Sequence, residues 1–218
     1  MHLQLFDTMS LCTEAEVQRM LPLVSMQRRE QALRFRHLFG RFACLKAYEL
    51  LKQCVAEVIS DLSEESLFRL HLQQWNGYFV YNEHDKPMMQ DIRSGKAIEG
   101  VDFSISHCQR AIVVALDSQP IGVDVECFRD ASDSLLRKTM NVSEISQIKN
   151  AANPSIEFTR FWTQKEALLK MLGTGIVDEL PDVLDRMGQF PSYQMQTVVN
   201  EKREYVYSWF RKEMKSSC

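Results

Sequence analysis

The stretch IGVDVE at 121–126 decides the fold of this chain, because it combines the pattern of a buried strand with two neighbouring acids. Ile121, Val123 and Val125 alternate, so a strand would place their side chains on one face. The opposite face would present two carboxylates two positions apart, those of Asp124 and Glu126. Two like charges side by side on a strand of this kind call for solvent or a counter-ion.

Further strands are predicted on both sides of this stretch. FSISH at 103–107 and AIVVALD at 111–117 have the pattern of a hairpin that turns at 108–110. GYFVYN at 77–82 predicts another strand, which a turn ending at Pro87 follows. SYQMQTVV at 192–199 and EYVYSWF at 204–210 predict two strands near the C-terminus.

Helices are predicted in both halves of the chain, at 13–33, 37–59, 133–150 and 155–172. Each half therefore mixes helices with a small, mostly antiparallel sheet. We predict an α+β fold of two similar halves in a pseudo-twofold arrangement, with the boundary between 1–117 and 118–218. No internal repeat in the sequence itself shows such a duplication.

The overall composition is that of an ordinary globular protein. The 218 residues are 45% hydrophobic and 25% charged, which suits one larger domain or two smaller fused ones. A formal net charge of −3 gives no bulk electrostatic support for a nucleic-acid partner. A local excess of basic residues over 26–52 has the ordinary explanation of a solvated helix face.

Targeting signals and cysteine usage predict a cytoplasmic protein without a membrane partner. The first ten residues, MHLQLFDTMS, lack the basic region of a signal peptide, and no apolar run approaches the roughly 18–20 residues of a membrane span. Six cysteines are scattered without a C-x-x-C pair, as expected for reduced thiols.

The two acids of the IGVDVE strand are candidate metal ligands. Burial of two adjacent carboxylates is unfavourable, and a bound divalent cation would offset it. Mg²⁺ favours one or two carboxylates and completes its shell with water and phosphate oxygens. A solvated strand end with two exposed acids is the simpler alternative.

A second candidate is the helical stretch FTRFWTQKEALLKMLGTG at 158–175. Trp162, Glu166 and Lys170 are spaced by four and so lie along one side of the helix. Glu166 could be a third metal ligand or a base, while Lys170 could neutralise phosphate charge. Alternatively, Glu166 and Lys170 are only a surface ion pair of the i,i+4 kind.

The stretch SISHC at 104–108 contains a third candidate, the pair Ser106 and His107. Both side chains could hydrogen-bond a phosphate, although serine is also common in turns. A serine hydrolase is poorly supported, because there is no G-x-S-x-G elbow and adjacent Ser and His side chains point apart. Cys108 as a thiol nucleophile has the same geometric difficulty.

Taken together and in order, four motifs resemble those of the surfactin-synthetase-type 4′-phosphopantetheinyl transferases. They are KP at 86–87, FSISH at 103–107, DSQPIGVDVE at 117–126 and FWTQKEALLKMLGTGI at 161–176. The family patterns are G-K-P, (F/W)-N-(I/L/V)-S-H-S, G-(I/V)-D-(I/V)-E and W-x-x-K-E-(A/S)-x-x-K-x-x-G-x-G. The resemblance extends over roughly residues 25–176, and its last two motifs are specific in combination.

The resemblance implies an enzyme that transfers 4′-phosphopantetheine from coenzyme A to a serine of an apo acyl or peptidyl carrier protein. The second product would be adenosine 3′,5′-bisphosphate. The cofactor would be Mg²⁺, although Mn²⁺ suits the same oxygen ligands. The pathway would be fatty acid, polyketide or nonribosomal peptide biosynthesis. The implied unit is a monomer with the family's fold and its active site between the halves.

The resemblance also assigns roles to particular residues. The metal ligands would be Asp124, Glu126 and Glu166. The catalytic residues would be Glu166, Lys170 and His107, with Lys170 on the pyrophosphate and His107 at the 3′-phosphate. Coenzyme A would be bound by Arg28, Arg36, His37, Lys86, Ser106, His107 and Lys170. A carrier-docking surface would include Arg137 and Lys138, with Leu136 and Met140 as apolar contacts.

Three positions depart from the family patterns. Asp85 replaces the glycine of G-K-P, Ser104 replaces an asparagine, and Cys108 replaces a serine. None of these changes removes a charged group. Two other functions stay open at this point: a coenzyme A-binding module without transferase activity, and a Mg²⁺-dependent hydrolase of nucleotide pyrophosphates.

Overall fold

A computed structural model of the chain describes residues 1–175, 180–185 and 193–213. The helices are α1 (Glu14–Met20), α2 (Met26–Arg34), α3 (Leu38–Asp61), α4 (Leu67–Leu72), α5 (Asp133–Thr139), α6 (Val142–Asn150) and α7 (Pro154–Leu172). The strands are β1 (His2–Phe6), β2 (Trp75–Tyr81), β3 (Pro87–Asp91), β4 (Asp102–His107), β5 (Ile112–Asp117), β6 (Ile121–Cys127), β7 (Tyr193–Asn200) and β8 (Tyr205–Lys212).

The strands form three small sheets in which every pairing is antiparallel. Their orders are β1-β5-β4, β2-β3 and β6-β8-β7. The predicted α+β class with small antiparallel sheets is therefore confirmed. The division into two pseudo-symmetric halves stays a prediction.

The two three-stranded sheets stack on each other between two long helices. One face of β5, with Ile112, Val114 and Leu116, belongs to the core under α3, and the other face, with Val113 and Ala115, packs against β6. Helix α7 covers the outer face of the second sheet. Because β5 is buried on both faces, its sequence is a continuous apolar run rather than an alternating one.

Strand β6 has the predicted inward face, since Ile121, Val123 and Val125 lie in the core between the sheets. The opposite face is not solvated but lies under α7. An ideal Cβ on Gly122 would be 1.9 Å from the carbonyl oxygen of Ala167 and 2.4 Å from the amide nitrogen of Met171. Glycine is therefore required here because the helix backbone crosses directly over the strand.

Helix α7 begins and ends close to the predicted bounds, with recognisable signals at each end. The Asn153 side chain accepts a hydrogen bond from the amide of Ile156, and Pro154 occupies the first turn. Gly173 ends the helix in the left-handed conformation, at φ 69°. These caps fix the length of the helix that contains Glu166 and Lys170.

Two of the predicted helices are each divided into two by local signals. The 13–33 segment forms α1 and α2, because Pro22 lies in a 3₁₀ turn and Ser25 caps a new helix by accepting from the amide of Arg28. The 133–150 segment forms α5 and α6, separated at Asn141, which forms a reciprocal capping box with Glu144.

Other sequence predictions agree with the structure, but three elements were not predicted: β1, α4 and β3. The β4–β5 hairpin and α3 are found as predicted. Strand β1 was not predicted, although it pairs with β5 along its whole length. Residue 192 of a predicted strand and residue 176 of the last motif lie outside the described residues. No helix in the described part of the chain is long and apolar enough to cross a membrane.

Candidate active site

The site forms where the edge strands of the two stacked sheets meet. No backbone ladder joins β4 to β6; instead, side chains of β4 bond to β6. The Asp102 carboxylate accepts from the amide of Ile121 at 2.9 Å, and the Ser104 hydroxyl accepts from the amide of Val123 at 3.0 Å. The register of these contacts brings Ser106 next to Asp124.

The centre of the site is a close group of three polar side chains from β4, β6 and α7. Lys170 Nζ lies 2.6 Å from Asp124 Oδ1 and 3.1 Å from the hydroxyl of Ser106. The same hydroxyl donates to Asp124 Oδ1 at 2.8 Å. Asp124 and Ser106 are buried, whereas the Lys170 side chain keeps 32% of its surface exposed.

Glu126 and Glu166 flank this group, and both carboxyls are held in an unfavourable setting for charge. Burial and the neighbouring Asp124 carboxylate raise the pKa of Glu166, while Lys170 opposes the shift. Burial and Asp124 likewise raise the pKa of Glu126, against the opposing charges of Arg129 and Lys170. The three acids that sequence reasoning grouped are thus electrostatically coupled across β6 and α7.

Two carboxylate oxygens in this group are buried and have no hydrogen-bond partner: Asp124 Oδ2 and Glu166 Oε1. Unpaired buried carboxylate oxygens are the donors that a hard divalent cation prefers, so these residues fit Mg²⁺ or Mn²⁺. Across the described residues, however, no three His, Cys, Asp or Glu side chains are already gathered in a metal-holding arrangement. A cation would therefore have to draw the acids closer together.

A cleft of about 290 Å³ opens beside this group. Its walls come from the turn before β3, from β4 and from the C-terminal end of α7. Among its lining residues are Lys86, Glu166 and Lys170. The ammonium of Lys86 is 2.8 Å from Asp102, and burial raises the pKa of that carboxyl despite the lysine. Two lysines thus line the cleft, as a site for a polyanion requires.

His107 lies at the end of β4, one residue beyond Ser106. Its ring meets that of Phe39 on α3 edge to face, with 5.7 Å between the ring centroids. Desolvation and the positive charge of Lys170 lower the pKa of His107. The two neighbours have different contacts, since Ser106 donates to Asp124 and His107 packs against Phe39 of α3, and their role at the nucleotide stays a prediction.

The remaining predicted coenzyme A ligands lie outside the cleft lining. Arg28 is buried over the rings of Tyr48 and Phe79, at 5.6 and 4.7 Å from the ring centroids, and donates to Gln31. Arg36 and His37 are exposed just before α3. The role of these three residues in nucleotide binding stays a prediction.

One prediction about the carrier-docking surface is wrong. Leu136 and Met140 are 4% and 2% exposed and pack in a core with Phe158 and Phe161, so they are not available to a partner. Arg137 and Lys138 are exposed on α5, as a docking role requires. The error arises because residues four positions apart share one helical face. The face with Leu136 and Met140 packs into the core, and Arg137 and Lys138 lie on the solvent side.

Sequence reasoning also missed three residues that build the site. Asp102 and Ser104 join the two sheets, and Gly122 lets α7 approach β6. A glycine inside a strand pattern is a signal of close backbone approach and could have indicated the helix contact. No local pattern indicates that Asp102 and Ser104 bond to a strand that is not their neighbour in the sheet.

Asp85, at the family's glycine position, has a left-handed backbone with φ 60°. The surrounding turn is closed by Asn82, whose side chain accepts from the amides of His84 and Lys86. Aspartate tolerates this conformation better than most residues but less well than glycine. The turn before Lys86 therefore keeps the backbone shape that a glycine would favour.

We expect Asp85→Gly to stabilise the protein by about 0.5–1 kcal/mol, because Asp85 is exposed and strained at positive φ. Urea denaturation of the variant and of the wild type measures the difference. Asp85→Ala is the matched control, since it removes the carboxylate but keeps Cβ, and it should bring no gain. A loss of stability in Asp85→Gly would show that the carboxylate stabilises the turn.

Comparison with known proteins agrees with this geometry. Residues 120–214 match the family model described as the 4′-phosphopantetheinyl transferase superfamily. A 4′-phosphopantetheinyl transferase of Bacillus subtilis is 28% identical over 163 residues, which are 74% of this chain and 65% of the relative. The 4′-phosphopantetheinyl transferase Sfp of Bacillus subtilis (strain 168) is 25% identical over 166 residues, which are 75% of this chain and 66% of the relative. The 4′-phosphopantetheinyl transferase psf-1 of Bacillus pumilus is 24% identical over 176 residues, which are 80% of this chain and 68% of the relative.

The matched part thus spans about two thirds of the length of these relatives. The family match includes β6 and α7, which contribute Asp124, Glu126, Glu166 and Lys170, and it also includes β7 and β8. These matches confirm the resemblance that the motifs indicated: residues 120–214 match the 4′-phosphopantetheinyl transferase superfamily, and the chain is similar to 4′-phosphopantetheinyl transferases of Bacillus.

Proposed function

We propose that this protein transfers the 4′-phosphopantetheine group of coenzyme A to a serine hydroxyl of an apo carrier protein and releases adenosine 3′,5′-bisphosphate. The observation that carries the proposal is the buried group of Asp124, Lys170 and Ser106, with Glu166 beside it at the edge of a cleft. The similarity to 4′-phosphopantetheinyl transferases of Bacillus supports the same reaction.

Mg²⁺, or Mn²⁺ in its place, would be held by Asp124, Glu126 and Glu166, and when bound it would offset the charge of the pyrophosphate. The two unpaired carboxylate oxygens support this assignment. Lys170 and Lys86, which both line the cleft, would bind phosphate oxygens as point charges. His107, Arg28, Arg36 and His37 would bind the nucleotide end.

In the proposed reaction, the serine oxygen of the carrier attacks the β-phosphorus of coenzyme A. A new P–O bond forms to serine, and the bond from that phosphorus to the bridging oxygen of the pyrophosphate breaks. The serine proton passes to the Glu166 carboxylate, directly or through water. The raised pKa of Glu166 suits a base that works near neutral pH. Catalysis then consists mostly of positioning and charge stabilisation.

The arrangement of the partners follows from the same proposal. The cleft is lined from both the 84–105 and the 166–175 regions, which supports an active site between the proposed halves 1–117 and 118–218. The exposed cations Arg137 and Lys138 would meet an acidic carrier protein. A monomeric state and a cytoplasmic location stay predictions, as does the choice among fatty acid, polyketide and peptide pathways.

The proposal predicts that Glu166→Gln lowers the rate of transfer by about 10²–10⁴-fold, because the amide cannot accept the serine proton. Intact-protein mass spectrometry of an apo acyl carrier protein, incubated with coenzyme A, Mg²⁺ and the protein, measures the transfer. Wild type should add one phosphopantetheine to the carrier, and EDTA should prevent it. Glu157→Gln, on the same helix and paired with Arg160 outside the site, is the matched control and should keep the activity.

Two results would contradict the proposal and point to the alternatives. Binding of coenzyme A without a mass gain on any of several apo carriers would favour a binding module. Release of free phosphopantetheine in the absence of a carrier would favour a pyrophosphate hydrolase. A full rate in Glu166→Gln would leave the transfer intact and remove Glu166 from the role of base.

A further inference from the structure

The ammonium of Lys170 is the ion-pair partner of Asp124 at the centre of the site. It contacts Asp124 Oδ1 at 2.6 Å. Its charge also opposes the pKa increases of Glu126 and Glu166. In the described part of the chain, no other cation forms a salt bridge with any of these three carboxylates. Lys170 therefore supplies the positive charge that a metal ion would otherwise bring to this cluster.

Asp124 Oδ1 is fully engaged in this arrangement. It accepts from Lys170 Nζ and from the hydroxyl of Ser106, and that hydroxyl also accepts from Lys170. The second carboxylate oxygen, Oδ2, stays unpaired. A divalent cation that approaches Asp124 must do so against the repulsion of an ammonium group within hydrogen-bond distance.

Lys170 has room to leave Asp124, because its side chain is partly exposed and borders the cleft. Its side chain is 32% exposed, whereas that of Asp124 is 4% exposed, and Lys170 lines the cleft directly. A phosphate oxygen in the cleft would give the ammonium a new negative partner. Without such an anion, movement of Lys170 would break a short ion pair and gain only solvation.

We propose that Lys170 acts as a stand-in cation, which holds Asp124 until a pyrophosphate draws the ammonium away, so that the metal ion and coenzyme A favour each other's binding. The proposal rests on the proposed function, because it takes coenzyme A as the anion. Beyond the roles of single residues, it couples the binding free energy of the metal ion to that of coenzyme A. By thermodynamic reciprocity, each ligand raises the affinity for the other by the same factor.

The first test measures Mn²⁺ binding by titration calorimetry with no coenzyme A and no carrier present. Lys170→Met removes the competing ammonium, and we expect it to bind Mn²⁺ about tenfold more tightly than wild type, within the usual range of coupling effects. Lys170→Gln should give a similar gain, and Lys170→Arg should give none. Lys149→Met, which removes a lysine in a 2.8 Å ion pair far from the cleft, is the matched control for net charge.

A second readout is thermal stability. Without metal, Lys170→Met should melt below wild type because the buried Asp124 loses its ion-pair partner, and saturating Mn²⁺ should raise its melting temperature more than that of wild type. Equal or weaker Mn²⁺ binding in both Lys170→Met and Lys170→Gln would overturn the proposal. These measurements need no transfer, so a failed transferase assay with a positive metal result would refute the proposed function and leave the stand-in cation supported.

Discussion

Replacing Gly122 by alanine is expected to destabilise the protein by about 3 kcal/mol or more, at the upper end of overpacking effects. The added methyl would lie 1.9 Å from the carbonyl oxygen of Ala167 and 2.4 Å from the amide of Met171. Both neighbours are backbone atoms of α7, so no side-chain rotation can relieve the contact. The helix would have to move away from β6.

The same movement would also damage the site, because Lys170 and Asp124 lie on the two elements that would separate. We therefore expect Gly122→Ala to lose transfer activity even under conditions where it stays folded. Urea denaturation and the carrier-modification assay measure the two effects. Gly95→Ala is the control, because Gly95 has φ 70° and an ideal Cβ there would lie 3.9 Å from its nearest neighbour atom. This variant tests backbone strain without a steric clash, and we expect it to lose about 1–2 kcal/mol of stability. Similar losses in both variants would refute the close-approach explanation.

The second large effect is expected from Lys165→Met, at about 3–5 kcal/mol of lost stability. Lys165 is fully buried, and its ammonium lies 2.8 Å from Glu144, 3.1 Å from the carbonyl oxygen of Leu180 and 2.6 Å from that of Pro181. Removing it leaves a buried carboxylate without its counter-ion and two carbonyls without their donor. Burial lowers the pKa of Lys165, and Glu144 opposes that shift.

The double variant Lys165→Met with Glu144→Gln separates the ion pair from the packing. Glutamine removes the unpaired charge, and its amide oxygen can still accept from the amide of Asn141, as Glu144 does. We expect it to recover most of the lost stability, as measured by urea denaturation. A single Lys165→Met variant that loses less than about 1 kcal/mol would show that the buried pair contributes little.

The parts of the fold that sequence reasoning predicted well are those set by local patterns. Helix α7 has a cap signal at Asn153, a proline in its first turn and a terminal glycine, so its bounds were close to the prediction. The β4–β5 hairpin has two apolar strands around a short turn. At Pro22 and Asn141 the helical periodicity continues across a local helix-breaking or capping signal. The sequence therefore predicts one helix at each place where the structure has two short ones.

The candidate site residues were predicted as a set through the resemblance of four ordered motifs to a known family, because the spacing of the charged groups alone left a solvated strand end and a surface ion pair as alternatives. Asp124, Glu166 and Lys170 do lie together. The partner of each was not predictable. Ser106 was assigned to the nucleotide but contacts Asp124, and Lys170 was assigned to pyrophosphate but pairs with the same acid.

By itself, the sequence determined the classes of element, the alternation of β6 and the identities of the acids and lysines, because these depend on neighbours within a few positions along the chain. The tertiary structure was needed to show that the second face of β6 lies under a helix, that β4 and β6 meet through side chains, and that the Lys170 ammonium contacts both Asp124 and Ser106. Those features join residues 18 to 64 positions apart. Distances across such separations depend on how layers pack, which no local pattern encodes.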